Sequence, residues 1–240
     1  MRLLQTMGLM ASVLGGVGAY AQAPTPAATP PVRWAQSFEE RLPGETPIGW
    51  GRRWGDIGDD LLSTSNIQAL TGRRALLLDR TVGEKTPMSG VGVRVPDIQR
   101  GWAVATINFL VEGAGHDAQF SLLIREISAP NRVVASLGVG DRNVTVTGVG
   151  YAGKRTLGRM QAGRWYRVVL MLPTREGGQT QGKAQLFERN DAGAFVPLCE
   201  NLPLDAVAAP TSGYGVMELV TTAGRANYLL YLDDLAFEQE

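Results

Sequence analysis

The chain has 240 residues, 44% of them hydrophobic, with 23 basic and 23 acidic side chains that cancel at neutral pH. That balance gives no electrostatic footprint for nucleic acid or for an anionic membrane surface. Cys199 is the sole cysteine, which excludes an internal disulfide, so stability must come from core burial. It reads as a small buried apolar residue, with an intermolecular bridge as the alternative.

The N-terminus carries Arg2, an apolar run from Leu3 to Ala19 and the small-x-small triplet Ala19-Tyr20-Ala21. This charged, apolar, small-residue order predicts a secretory signal peptide over residues 1–21, cleaved after Ala21. Gly8, Gly15, Gly16 and Gly18 interrupt the run, unlike the ~20 strongly apolar residues of a retained anchor. The product is therefore expected to be secreted or periplasmic, with no membrane anchor after cleavage. Residues 22–33 hold four prolines and little to bury, and read as an extended Pro-rich linker. One folded domain is expected over residues 34–240.

From Trp34 onward, short runs rich in Val, Leu, Ile, Thr and aromatics alternate with Gly, Pro, Asn and Asp clusters. That rhythm predicts an all-β, two-sheet antiparallel sandwich. The clearest strands span residues 74–78, 91–95, 102–111, 118–124, 133–139, 144–149, 165–172, 183–188, 214–220 and 228–237. Residues 165–172 are apolar on both faces, which in an antiparallel sheet requires cover on the second face as well. Trp165 is assigned to the core. Gly140 to Asn143, Glu176 to Gln179 and Asn190 to Gly193 read as hairpin turns. Residues 56–63 and 205–209 are the only helix-like stretches, short enough to be turns or single helical turns.

Several short motifs occur in a fixed order: Phe38-Glu39-Glu40 near the start, Gly72-Arg73-Arg74-Ala75-Leu76, Gly163-Arg164-Trp165-Tyr166-Arg167-Val168, and Tyr231-Leu232-Asp233-Asp234 near the end. Together they resemble the jelly-roll superfamily of concanavalin-like lectins and glucanases, laminin-G-like domains and carbohydrate-binding modules. Glu40 departs from the usual Asp, and Ala75 from the usual small hydroxyl residue. The resemblance implies a jelly-roll sandwich in which the first and last strands are neighbours. It also implies a structural calcium held by Glu39 and by Asp233 or Asp234, with backbone carbonyls completing the shell.

The residues themselves leave that site open. Strict alternation in the last strand places Leu229, Tyr231, Asp233, Leu235 and Phe237 on one face and Tyr228, Leu230, Leu232, Asp234 and Ala236 on the other. Each carboxylate then shares a face with large apolar groups and needs an Arg, backbone donors or a metal. A salt bridge or exposed turn acids are the alternatives.

A sugar-binding face offers rings for sugar C–H faces and directional polar groups for hydroxyls. The candidates are Trp50 and Trp54, with Arg52 between them, then Trp102 and Tyr151; each Trp could equally be a core or loop anchor. No catalytic constellation emerges. A retaining hydrolase of this fold needs two carboxylates on one strand face, and no Glu-x-Asp-x-Glu string occurs. His116, the one histidine, lies in a turn-like segment, and no Gly-x-Ser-x-Gly string supports a serine nucleophile. Asn143-Val144-Thr145 fits a glycosylation acceptor, a match frequent by chance. The resemblance thus implies a non-catalytic module that binds a glycan ligand or another extracellular surface. A carbohydrate-active enzyme with an atypical site and a structural cell-surface domain remain the alternatives.

Overall fold

The computed structural model describes residues 31–54, 62–81, 89–113, 119–129, 132–221 and 227–240. The expected signal peptide, most of the linker, residues 56–61 and His116 lie outside the described residues, as do the side chains of Arg52 and Trp54. No helix among the described residues is long and apolar enough to cross a membrane.

Fifteen strands run in chain order as β1 (Arg33–Gln36), β2 (Gly51–Trp54), β3 (Leu62–Ser65), β4 (Ala75–Asp79), β5 (Ser89–Arg94), β6 (Trp102–Gly113), β7 (Phe120–Glu126) and β8 (Val133–Gly140). They continue as β9 (Asn143–Thr147), β10 (Arg155–Arg159), β11 (Trp165–Pro173), β12 (Gly182–Arg189), β13 (Phe195–Leu204), β14 (Tyr214–Thr221) and β15 (Tyr228–Gln239). One sheet has the order β13-β12-β11-β6-β15-β4-β3, with β1 also pairing β15; the other has the order β10-β9-β8-β7-β14-β5-β2. Every pairing is antiparallel. This is the expected two-sheet sandwich. Residues 62–63, read as the end of a helical turn, belong to β3.

Side-chain alternation builds the core between the sheets. In β6, Ala103, Ala105, Ile107, Phe109 and Val111 point inward, and in β9 Val144 and Val146 do so. Rings from opposite sheets meet there: Phe109 of β6 lies edge-on to Phe120 of β7 at 5.7 Å between centroids, and Tyr214 of β14 meets Phe237 of β15 at 5.3 Å. The tight β8–β9 connection has Asp141 and Arg142 both at positive φ, the backbone that matches the twist of a two-residue hairpin.

Trp165 is in the core as expected, in a second cluster with Leu70, Ala75, Leu110 and Tyr231 on the outer face of the first sheet. Leu70, from the β3–β4 connection, is part of the second-face cover that the apolar β11 required. In β15, alternation does not run through. Asp233 pairs with Asn108, whereas Ala236 pairs with Thr106, so β15 holds one extra residue, a β-bulge. Asp234 sits in it with φ 44°. The bulge shifts the phase by one residue, and Tyr228, Leu230, Leu232, Leu235 and Phe237 all face the inter-sheet core.

Candidate functional site

The outer face of the second sheet carries an open groove over β7, β8, β9 and β10, with a volume of about 500 Å³. Its floor follows from alternation. Val144 and Val146 fill the core, so Asn143, Thr145 and Thr147 project outward; Leu137 and Val139 do the same for Ser136 and Gly138. Cross-strand register then sets Ser121, Gly138, Thr145 and Thr156 in one row across four strands. Gly138 keeps that row open. A Cβ there would meet Thr145 Oγ1 at 3.1 Å, and the Thr145 hydroxyl instead donates to the Gly138 carbonyl at 3.2 Å.

The two ends differ in chemistry. Around the β8–β9 turn, Gln119, Asp141 and Asn143 line the groove, and at the far end of β9 it meets Tyr151 and Lys154. Tyr151 is 55% exposed and has φ 67°, a left-handed backbone uncommon for a bulky side chain. From Asn143 to Thr147 the floor extends about 13 Å. Among its described residues the groove therefore offers hydroxyl and amide groups along its length, one exposed ring, one cation and one carboxylate.

Of the five ligand-binding residues expected from the sequence, the structure brings Tyr151 to this groove. Trp50 is corrected: it is 6% exposed, packs at 6.3 Å from Phe38, and donates from Nε1 to Gln36 Oε1 at 2.7 Å. It is a core anchor, not an open platform, because its ring and its one polar atom are both satisfied inside. Trp102 begins β6 in the other sheet, half-buried, with the Lys183 ammonium 5.6 Å from its ring centroid. It faces away from the groove across the thickness of the sandwich. Arg52 and Trp54 have side chains outside the described residues. Sequence reasoning missed Lys154, Asn143, Gln119 and the hydroxyl row.

The expected metal ligands do converge, on one segment. Asp233 Oδ2 accepts from the amides of Leu70 at 2.8 Å and Thr71 at 3.1 Å, and Oδ1 from the amide of Asp234 at 2.8 Å. Asp234 Oδ2 accepts from the Thr71 hydroxyl at 2.8 Å. Glu39 Oε1 accepts from the amides of Arg73 at 2.8 Å and Arg74 at 2.7 Å. Gly72, at φ +60°, allows this approach, since a Cβ there would lie 2.4 Å from Glu39 Oε1. Burial pushes the Asp233 carboxyl up to about 7, with Thr71 N–H bonding opposing and the Asp234 charge adding to the rise.

Calcium requires several oxygens with lone pairs aimed at one centre. Here those of Asp233 and of Glu39 Oε1 face N–H groups, and among the described residues no three acidic, His or Cys side chains form a metal-holding group. As arranged, the set fits a latch of carboxylates on loop amides and does not fit the calcium that the resemblance implies.

No protein-family model matches the sequence, and no curated protein matches it either. Solved structures do. The PL-14 alginate lyase from Aplysia kurodai superposes with a TM-score of 0.56 at 12% identity, covering 86% of this chain and 98% of its own. The alginate lyase Aly36B gives 0.51 at 10% identity, with coverages of 88% and 99%. The carbohydrate recognition domain of Emp47p gives 0.50 at 9%, with coverages of 87% and 95%. What is shared at such identities is the fold, and the fold of this chain is the concanavalin-like jelly roll.

Proposed function

We propose that the protein binds a carbohydrate chain in the groove over β7–β10, as a secreted or periplasmic module. The carrying observation is the row of hydroxyls from Ser121, Thr145 and Thr156, with Ser136 and Thr147 beside it, next to an exposed Tyr151 ring. Sugars present apolar C–H faces and directional hydroxyls, and this face offers a counterpart to each. Lys154 adds a cation suited to a carboxylated sugar. Two similar structures being alginate lyases and a third a carbohydrate recognition domain support a glycan as the ligand class.

Binding without hydrolysis is favoured by the lining. Asp141 is the one carboxylate among the described residues of the groove, while glycosidic hydrolysis by general acid and nucleophile or base requires two. The test is calorimetric titration of the mature domain with alginate, cellulose and mannan oligosaccharides, with each mixture assayed for new reducing or unsaturated ends. Binding without new ends is the expected outcome. No binding to any of them sinks the glycan reading, and new ends make the protein an enzyme.

A further inference from the structure

We propose that Ala206, in a turn outside the groove, is the positioning residue that fixes Tyr151 at the groove's end; this rests on the groove being the ligand site. Residues 148–153 form an arm carrying Tyr151, and the arm closes on Ala206 from two sides. On one side, the Val149 amide donates to the Ala206 carbonyl at 2.9 Å, and a Cβ at Gly148 would stand 2.1 Å from that oxygen. On the other, Gly153, at φ +62°, packs so tightly that its Cβ would lie 2.6 Å from the Ala206 methyl. Neither position has room for any other residue.

Ala206 is itself firmly set. Its neighbour Val207 is fully buried in the inter-sheet core, and the Val207 amide donates to the Leu204 carbonyl at 3.0 Å. Between the two glycine contacts stands Tyr151, in a left-handed backbone and more than half exposed. Its ring gains little from burial to offset that backbone cost, so the surroundings must impose the conformation. Held in this way, the ring is presented to a ligand already ordered, which spares binding the entropy of fixing it.

Three variants test this: Gly153→Ala, which drives a methyl against Ala206; Ala206→Gly, which empties the socket without a clash; and the two combined. Amide exchange is read by mass spectrometry, and affinity is titrated with alginate and cellulose oligosaccharides. Each single variant should speed exchange in residues 149–152 by about tenfold while β8 and β9 keep theirs, and weaken affinity by about tenfold. In a Tyr151→Ala background neither should weaken affinity further. The combined variant should recover affinity over Gly153→Ala alone, since the clash is gone. Unchanged exchange in both single variants overturns the proposal, as does an affinity loss that persists without the Tyr151 ring. If alginate, cellulose and mannan oligosaccharides all fail to bind the wild type, the glycan reading fails, and the exchange rates alone decide the role of Ala206.

Discussion

Asn108 and Asp234 are joined across the β6–β15 ladder: Asn108 Nδ2 donates to the Asp234 carbonyl at 2.9 Å and also reaches the Asp233 carbonyl at 3.2 Å. The bulge takes those carbonyls out of regular pairing, and the amide supplies the donor that the ladder does not. Its Oδ1 meanwhile accepts from Arg167 Nε at 2.8 Å, and that guanidinium lies 4.0 Å from the Phe195 ring centroid. One buried side chain thus ties β6, β11 and β15 together.

Asn108→Leu keeps the branching and removes these bonds, leaving two carbonyls and a half-buried guanidinium short of partners. A loss of about 2–3 kcal/mol is expected, read as a lower urea midpoint at unchanged m-value. A loss below about 0.5 kcal/mol would mean that water replaces the amide without cost.

Two buried carboxylates should tilt the pH profile in opposite senses. The Asp233 value is raised, so its contribution to stability is full below the unfolded value of about 3.9 and is lost as pH rises towards about 7. For Glu126, burial alone would raise the value, but bonds from Thr211 and Ser212 and the Arg132 charge outweigh it and hold the carboxyl below the usual range. Its contribution is present above about 4.3 and is lost on acidification. Urea melts across pH should show Asp233→Asn flattening the decline between about 4 and 7, and Glu126→Gln flattening the acid limb.

Thermal melts with millimolar calcium and with chelator should coincide, because Glu39 Oε1 and both Asp233 oxygens already accept from backbone amides. A ligand that binds only the folded state raises its melting temperature. A rise of several degrees in calcium would restore the metal expected from the resemblance and show that the latch opens to admit it.

The aromatic residues should separate by role. Tyr151→Ala is expected to weaken oligosaccharide binding by about tenfold with little change in melting temperature. Gly138→Val, which pushes into Thr145 Oγ1, should weaken binding by filling the floor. Trp102→Ala, on the opposite sheet, should leave affinity unchanged, and Trp50→Ala should cost about 3–5 kcal/mol of stability. Loss of binding in Trp102→Ala would move the site to the other face.

The ten strands expected from the sequence are all present, because each carries enough inward-facing apolar side chains to show its period. Five went unread: β1, β2, β3 and β10 are short, and β13 is long but broken by prolines. In β10, Leu157 is the one residue of Arg155–Arg159 that is buried. β13 contains Pro197 and Pro203, which sequence reasoning takes as breakers. At the end of a sheet they cost nothing, since a proline there need not donate to a neighbour. That Glu39, Asp233 and Asp234 lie near one another was implied by the resemblance alone; each of them accepts hydrogen bonds from within residues 70–74. The groove was not legible: Ser121, Gly138, Thr145 and Thr156 are commonplace along the chain and become a surface only through register. Trp50 misled because a tryptophan between glycines looks like a platform, and only Gln36 and Phe38 reveal its burial.

The bulge at Asp234 makes chain length, as much as residue identity, a determinant of this fold. A one-residue deletion there would restore a regular ladder with β6 and leave Leu235 and Phe237 facing the core opposite Ile107 and Ala105. Regular pairing with every residue kept would instead turn both outward and send Ala236 and Glu238 inward. Any substitution at Asp234 changes one side chain, whereas one residue gained or lost in the regularly paired part of β15 exchanges the inside and outside of the strand beyond it. Among homologues, insertions and deletions should therefore gather in the loops and at the bulge itself and spare the regularly paired runs of β15 on either side of it, even where their individual residues vary.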